Sequence, residues 1–319
     1  MATTAGFSPI NLQDITINGN SITTHYQLSI INIYIQRTVM GTSTLTMQLM
    51  DPKRYMLRNV IKQGDELVFD GLKYILIQIM KASDQLQLVF QSKTVYMLSQ
   101  AHGSKTYPTG YGVTPFFKEL CAEVGAQLVA PDYAQVWGKI TKIPIFKLIL
   151  ARGSSSDANE SSWVCMNRIA SSIGWRLWES DGIVYFGPDE YWLGTIPGMA
   201  NPPINENIGS VGNNFPIVQE FTNEIQIVDF DWDIGKPFAQ ANVTCLLDSF
   251  SYRLGEIVKL EGMGPANGYW MVYSIQRDMF NPQATLVLQV PVPLVDYIQP
   301  TSLPQSSLPL QPLKVLTVR

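Results

Sequence analysis

The side chains in this 319-residue chain with most promise for chemistry are a group of acids set among large aromatic rings. Glu179 and Asp181, with Asp189 and Glu190 close behind, fall among Trp175, Trp178, Tyr185 and Trp192. A sugar-binding cleft stacks its ligand on such rings, and a glycosidase adds two carboxyls about 5 to 10 Å apart across the scissile bond. Against this, Glu179 and Asp181 flank what reads as a hairpin turn, where acids are ordinary, and the aromatic residues alternate as core-facing strand residues do. Asp229, Asp231 and Asp233 alternate along "VDFDWD" and could gather a hard cation. They fall short of the roughly six to eight oxygens that calcium takes, so the row reads as the solvated or channel-facing side of a strand.

Other chemistry finds little support. His25 and His102 are the only imidazoles, and neither stands in a metal-ligand spacing. His25 lies in a strand-like run and His102 precedes a loop at Gly103. There is no Gly-x-Ser-x-Gly elbow, no phosphate loop ending in Gly-Lys-Ser/Thr and no His-Glu-x-x-His. Cys121, Cys165 and Cys245 are odd in number and widely spaced, which predicts reduced structural thiols rather than disulfides or a zinc site. No catalytic, cofactor-binding or metal-binding residue is therefore assigned, and the chain is not expected to be an enzyme.

Composition points to large buried surfaces. Hydrophobic residues make up 46% and charged residues 15%, against about 25% charged in an average soluble chain. A net charge of -4 disfavours avid nucleic-acid binding, which needs clustered cations on phosphates. It does suit the wall of a conduit along which DNA slides without sticking, because like charges repel. No basic stretch followed by an apolar run opens the chain, and no apolar run approaches the roughly 20 residues of a membrane span. Assembly in a cytoplasm is expected, without membrane insertion.

The elements that must position these residues are mostly strands. From Ser21 to Gln91 apolar residues alternate in "TLTMQLM", "DELVFDG", "YILIQIM" and "LQLVFQ", the period of antiparallel strands, with a turn at Asp51, Pro52, Lys53 and Arg54. Past Tyr111 the period becomes helical. Thr114 as cap, Pro115 at the first position and Gly125 as stop bracket Phe116, Phe117, Leu120, Cys121 and Val124. A short strand at Gln127 to Ala130 follows. A second helix carries Trp163, Met166, Ile169, Ala170 and Ile173 after Ser161 and Ser162, with Gly174 as stop, and a hairpin "WRLW-ESDG-IVYF" comes next. The stretch from Gly194 to Asn223 is rich in Gly, Pro and Asn and reads as a linker. Alternation returns through "EIQIVDFDW", "NVTCLL", "EIVKLEG", "YWMVYSI" and "ATLVLQV", before a proline-rich tail.

The two strand series can be laid over each other. "GDELVFDG" from Gly64 to Gly71 matches "GEIVKLEG" from Gly255 to Gly262, each a glycine-acid bracket around alternating apolar residues. "YILIQI" from Tyr74 then corresponds to "YWMVYSI" from Tyr269, and "LQLVFQ" from Leu86 to "TLVLQ" from Thr285. Glycines at the bracket ends permit turn conformations closed to other residues, which explains their persistence in a duplicated module.

The expected fold is mainly β with an α/β insert: two tube-like antiparallel β-barrels flanking a small α+β middle domain. The expected boundaries are 1–99 for the first barrel, 100–193 for the middle domain, 194–224 for a linker, 225–292 for the second barrel and 293–319 for an extended tail. Leu308, Leu310, Leu313, Val315 and Leu316 mark that tail as a candidate partner-docking segment.

Two like barrels around an α/β insert resemble the baseplate and tail-tip hub family of tailed phages and contractile injection systems, including the late control proteins. The resemblance is carried by "STLTMQLMDPKR" at 43–54, "ESSWVCMNRIASSIGWRLWESDGIVYFGP" at 160–188 and "SIQRDMFNPQATLVLQVP" at 274–291, in that order. It implies a virion structural protein, a homotrimer whose three copies present six barrels. Such a ring matches a sixfold tail tube or distal tail protein above and a threefold spike or central fibre below, and DNA passes through it without specific binding. There is no lysozyme-like insert or β-helical needle, so lytic or spike functions would belong to other chains. The alternatives are a carbohydrate-active or glycan-binding tail protein and, within the structural class, a distal tail ring protein.

Overall fold

Alternating burial shows how the strands form. In the computed structural model, which describes residues 14–25, 29–69, 71–107, 112–131, 150–153, 159–192, 217–219, 227–233, 240–245, 254–255, 257–261, 268–278 and 284–289, Leu45, Met47 and Leu49 are buried while the residues between them are not. That strand, β4 (Thr44–Met50), belongs to a series comprising β1 (Thr16–Ile17), β2 (Asn20–Ser21), helix α1 (Ile22–His25) and β3 (Ser29–Thr38) before it. His25, expected in a strand-like run, thus ends a short helix instead. After β4 come helix α2 (Tyr55–Asn59), β5 (Glu66–Phe69), β6 (Leu72–Ala82) and β7 (Gln85–Ser92). The turn expected at Asp51 is present but leads into α2, because the buried Asp51 carboxylate accepts the N–H groups of Tyr55 (2.7 Å) and Leu57 (3.2 Å) that a helix start leaves unpaired.

The middle segment carries α3 (Lys93–Gln100), β8 (Lys105–Thr106), α4 (Val113–Glu123), β9 (Gln127–Val129), β10 (Ala151–Arg152), α5 (Ser162–Ile173), β11 (Arg176–Ser180), β12 (Ile183–Gly187) and α6 (Asp189–Trp192). Helix α5 has the predicted cap: the Ser161 side chain accepts from Val164 N–H at 3.3 Å, and Gly174 closes it at φ 72°. Helix α4 begins ahead of the expected Pro115, at Val113 after Gly112. Thr114 lies inside its first turn, where its hydroxyl donates to the Pro131 carbonyl at 3.0 Å instead of capping. The hairpin β11–β12 turns on Asp181 and Gly182, both at positive φ (55° and 84°), the two-residue geometry that matches strand twist. Strand β12 also pairs with β9 in parallel, making a small mixed sheet.

The last series is β13 (Ile217–Gln219), β14 (Ile227–Asp233), β15 (Gln240–Cys245), β16 (Ile257–Glu261), β17 (Gly268–Asp278) and β18 (Ala284–Gln289). Its pairing order, β14-β15-β18-β17-β16, is the order of β3-β4-β7-β6-β5. Both units place a bulge near the start of their first strand's ladder, between Ile30 and Asn32 and between Ile227 and Asp229. Both place another between Leu76 and Gln78 and between Val272 and Ser274. A shared bulge pattern is a specific mark, since each inserted residue shifts the register of everything beyond it.

The ladders also fix residue equivalence. Ile75 opposite Glu66 and Met271 opposite Ile257 set Gly64 on Gly255 and Leu67 on Val258. Gly64 (φ 93°) donates its N–H to the Leu76 carbonyl at 2.8 Å, and Gly255 (φ 79°) donates to the equivalent Val272 at 2.9 Å. One alignment read from the sequence is off by a residue: Tyr74 falls on Trp270, not on Tyr269. The cause is burial, since Tyr74 and Trp270 are both buried in cores, while Tyr269 stands opposite Lys259 at the register position of Lys73.

The chain is mainly β, with one large, largely antiparallel sheet. No closed barrel is formed by the described strands. Among the described residues β17 pairs with β3, so both units lie in one thirteen-stranded sheet whose path ends at β14 and β2 without closing. The cores are divided differently again. Ile17, Met47, Leu67, Leu88 and Phe90 centre the first unit's core. A second core runs without a break from Phe117, Met166 and Trp178 of the middle segment to Val258, Trp270 and Leu286 of the second unit. Each such side chain stabilises the fold by about 1.5 to 3 kcal/mol, so the middle segment and the second unit stabilise one another. Gly262 and the tail residues Leu308, Leu310, Leu313, Val315 and Leu316 lie outside the described residues.

Candidate functional site

The aromatic residues that suggested a sugar cleft are packed inside the molecule. Trp175, Trp178, Tyr185 and Trp192 are all buried. Trp178 stacks on Tyr185 (centroids 5.4 Å apart) and meets Trp192 edge-on at 4.6 Å, while Trp175 lies against Phe186. Rings consumed by the core offer no face to a saccharide, which removes the observation behind the carbohydrate reading. The side chains of Asp189 and Glu190 lie outside the described residues.

The two acids of the hairpin do meet a cavity. A space of about 350 Å³ opens where the hairpin turn approaches the first unit, lined among others by Arg37, Tyr74, Lys93, Glu179 and Asp181. Strand β3 supplies Arg37, β6 supplies Tyr74, and β11 with its turn supplies the acids. Asp181 is engaged by Arg37 at 3.0 Å. Glu179 sits within β11, not on the turn, and is only 3% exposed. Its Oε1 accepts the Gly182 N–H at 2.7 Å, and its buried Oε2 has no hydrogen-bond partner. Burial pushes the Glu179 carboxyl above the ordinary carboxylate range, opposed by the Gly182 N–H and the nearby Ser92, Ser43 and Arg37. Burial likewise raises the Tyr74 phenol, with Arg37 beside it pulling the other way. On the cavity rim Lys73 (3.3 Å) and Lys93 (2.5 Å) both pair with Glu66, whose carboxyl the Lys93 contact holds low.

With Asp181 tied to Arg37, the arrangement is not two free carboxyls facing a substrate. It is a polar latch. The Ser43 hydroxyl donates to the Glu179 carbonyl at 3.2 Å, the Thr94 hydroxyl donates to the Gly182 carbonyl at 3.0 Å, and Met40 N–H donates to the Leu177 carbonyl at 2.9 Å. Together these fasten the hairpin to the first unit and to α3.

The latch makes a pH prediction. Glu179 has a raised value in the fold, so the folded state holds its proton through a range where the unfolded chain has lost it, and stability falls as pH rises through that range. Glu179→Gln keeps an oxygen for Gly182 and removes the ionisation. Its unfolding midpoint should be closest to wild type at or below about pH 4 and should gain on wild type as pH climbs past the ordinary carboxyl value. A difference that stays constant in urea titrations from about pH 3.5 to 8 would show a carboxylate that is charged in place.

The other sequence candidates are structural where they are described. His102 is exposed, with Nδ1 2.8 Å from the Asn159 carbonyl oxygen. Cys121 and Cys165 are buried, and burial pushes both thiols up to about 12, which keeps them protonated and unreactive. The side chains of His25, Cys245, Asp229, Asp231 and Asp233 lie outside the described residues. Among the described residues no three His, Cys, Asp or Glu side chains gather to hold a metal ion. Sequence reasoning missed Arg152, a 5%-exposed arginine bound to Glu123, Ser162 and Gly103. Its only signal was a basic residue closing an apolar run.

The second feature of note is the junction between the units. Strand β17 pairs with β16 through Gly268–Met271, bulges at Tyr273, and then pairs with β3 from Ser274 to Asp278. Ser274 and Thr38 share a 3.0 Å hydroxyl contact across this junction, and Asn32 donates to Asp278 at 3.1 Å.

No family model matches the sequence, and no curated protein matches it. Solved structures do. The 43 kDa tail protein of prophage MuSo2 from Shewanella oneidensis superposes with a TM-score of 0.51 at 8% identity, over 86% of this chain and 96% of that one. A tail protein from Neisseria meningitidis gives 0.53 at 13% identity, over 86% and 95%. An E. coli component of the type VI secretion system, itself described as similar in structure to the T4 bacteriophage tail proteins gp27 and gp5, gives 0.58 at 8% identity, over 91% and 80%. At these identities the likeness is one of architecture, and the architecture of this chain is that of phage tail proteins and of their type VI secretion counterpart.

Proposed function

We propose that this chain is a structural subunit of a phage tail tip, a hub in which three copies form a ring of six like modules. The observation that carries the reading is the duplication: two strand units with the same order and the same two bulges, held side by side by the β17–β3 ladder. A chain that contributes two equivalent modules makes six positions from three copies. It can therefore face a sixfold tube or distal tail protein on one side and a threefold spike or central fibre on the other. The likeness to tail proteins supports the same reading.

In this hub, residues 1–99 and 225–292 are the tube-like barrel modules and 100–193 brace them. The turn glycines Gly64, Gly71, Gly255 and Gly262 mark the common ancestry of the modules. The leucine-bearing tail from 293 to 319 docks on a neighbour. The net negative charge suits a channel that DNA crosses without binding, and the ring is assembled in the host cytoplasm before entering the virion.

Particle mass and negative-stain images of the purified chain test this. A three-copy particle with six lobes around a channel is the expected result. A hexamer would instead make the chain a distal tail ring, and a monomer that stays single at high concentration would sink the ring altogether.

A further inference from the structure

The duplication makes the two units comparable residue by residue, and they differ at one place. The ladders set Leu76 on Val272 and Gln78 on Ser274, so Gln78–Ala82 of β6 is the counterpart of Ser274–Asp278 of β17. In β17 this half-strand pairs with β3, and Ser274 and Arg277 are 5% and 7% exposed. In β6 it has no strand partner on that side among the described residues; Gln78, Met80, Lys81 and Ala82 are exposed, Met80 at 37%. The counterpart of β3 is β14, which among the described residues pairs only with β15 and leaves its other edge open.

One chain thus carries both halves of a junction it has already made once. We propose that the open half of β6 pairs antiparallel with β14 of a second copy of this chain, in the register that β17 and β3 use within the chain. Within the chain Gln276 stands opposite Gln36, Arg277 opposite Ile35 and Asp278 opposite Tyr34. The bulge positions set Asn32 on Asp229, and hence Tyr34 on Asp231, Ile35 on Trp232 and Gln36 on Asp233. Between copies, Met80 then stands opposite Asp233, Lys81 opposite Trp232 and Ala82 opposite Asp231.

Residue type agrees with this pairing. Lys81 replaces Arg277 as the basic residue of the half-strand, and in this register it stands opposite Trp232, a pair in which a cation gains from an aromatic ring, while Asp233 and Asp231 stand at the positions facing Met80 and Ala82. Exposed ladder edges invite uncontrolled pairing unless covered. The two edges lie on different strands, so the contact is head-to-tail and repeats from copy to copy until the ring closes. Within one chain the two edges do not pair among the described residues, and six strands lie between them in the sheet, a span along it of roughly 34 Å at about 4.8 Å per strand.

This inference rests on the ring reading above, and the test separates the two. Chains carrying Met80→Cys with Asp233→Cys are oxidised and run on a non-reducing gel, and their particle mass is measured under reduction. The expected result is a ladder of covalent dimer and trimer that stops at three. Met80→Cys with Asp231→Cys, two residues out of register and so displaced by roughly 7 Å along the strand, should link far less. A three-copy particle that does not cross-link overturns the edge assignment and leaves the ring intact, whereas a particle that is monomeric under reduction overturns both. Met80→Glu gives a readout without cysteines: its thermal unfolding as a monomer should match wild type, and its self-association should weaken by about tenfold or more because a carboxylate is set directly opposite Asp233. Unchanged association would overturn the pairing.

Discussion

Gly255→Ala is expected to destabilise the protein by about 3 kcal/mol or more, while Gly64→Ala at the equivalent turn should cost only about 1 to 2 kcal/mol. Both glycines hold positive φ, 79° and 93°, so a side chain at either position meets the same backbone penalty. What differs is the space around them. A Cβ on Gly64 has nothing within 4 Å, whereas a Cβ on Gly255 would overlap the indole ring of Trp178. That ring cannot step aside, because Tyr185 and Trp192 hold it from two directions. Overpacking a rigid core adds about 1 to 3 kcal/mol to the backbone penalty. Urea unfolding of the two variants measures the gap, and Gly255→Ala in a Trp178→Leu background should recover part of the loss. Equal destabilisation at the two glycines would show that Trp178 does not press on the turn.

Removing Arg152 should be as damaging by a different route. Its guanidinium is buried among three acceptors: the Glu123 carboxylate at 2.5 Å, the Ser162 hydroxyl at 2.6 Å and the Gly103 carbonyl at 2.8 Å. It joins α4, the loop after α3 and the start of α5. Arg152→Ala leaves all three without this donor and should cost about 3 to 5 kcal/mol, the range for breaking a buried charged network by deleting one member. Glu123 keeps a partner in Lys105 at 2.7 Å, so Glu123→Gln should cost much less. Thermal unfolding of the pair checks the asymmetry, and a mild Arg152→Ala would mean that water replaces the guanidinium.

The parts of this fold that were legible in the sequence are those whose physics is local. Helix α5 was bracketed by its serine cap and Gly174, and the β11–β12 hairpin by alternation and an Asp-Gly turn. The likeness of the strand series at Gly64 and Gly255 could be seen because glycine and acid brackets are rare enough to align by eye. The slip at Tyr74 shows the limit. A longer connection between paired strands, from Glu261 to Gly268 against Phe69 to Leu72, shifts register without leaving a residue signature, and two tyrosines drew the alignment one place away from the buried pair Tyr74 and Trp270. Alternation cannot state which strand lies beside which, so the β17–β3 ladder, and with it one continuous sheet, was not visible. The aromatic cluster misled for a related reason: period-two aromatic residues read the same whether they line a cleft or a core, and only burial separates the two.

Strand β17 changes neighbour halfway along its length, at Tyr273. The same backbone is therefore both an internal rib of the second unit and the hinge-side plank of the first, so neither unit can rock against the other without shearing main-chain bonds. Among the described residues the two units therefore move as one stiff segment, and no hinge is left between them at this ladder.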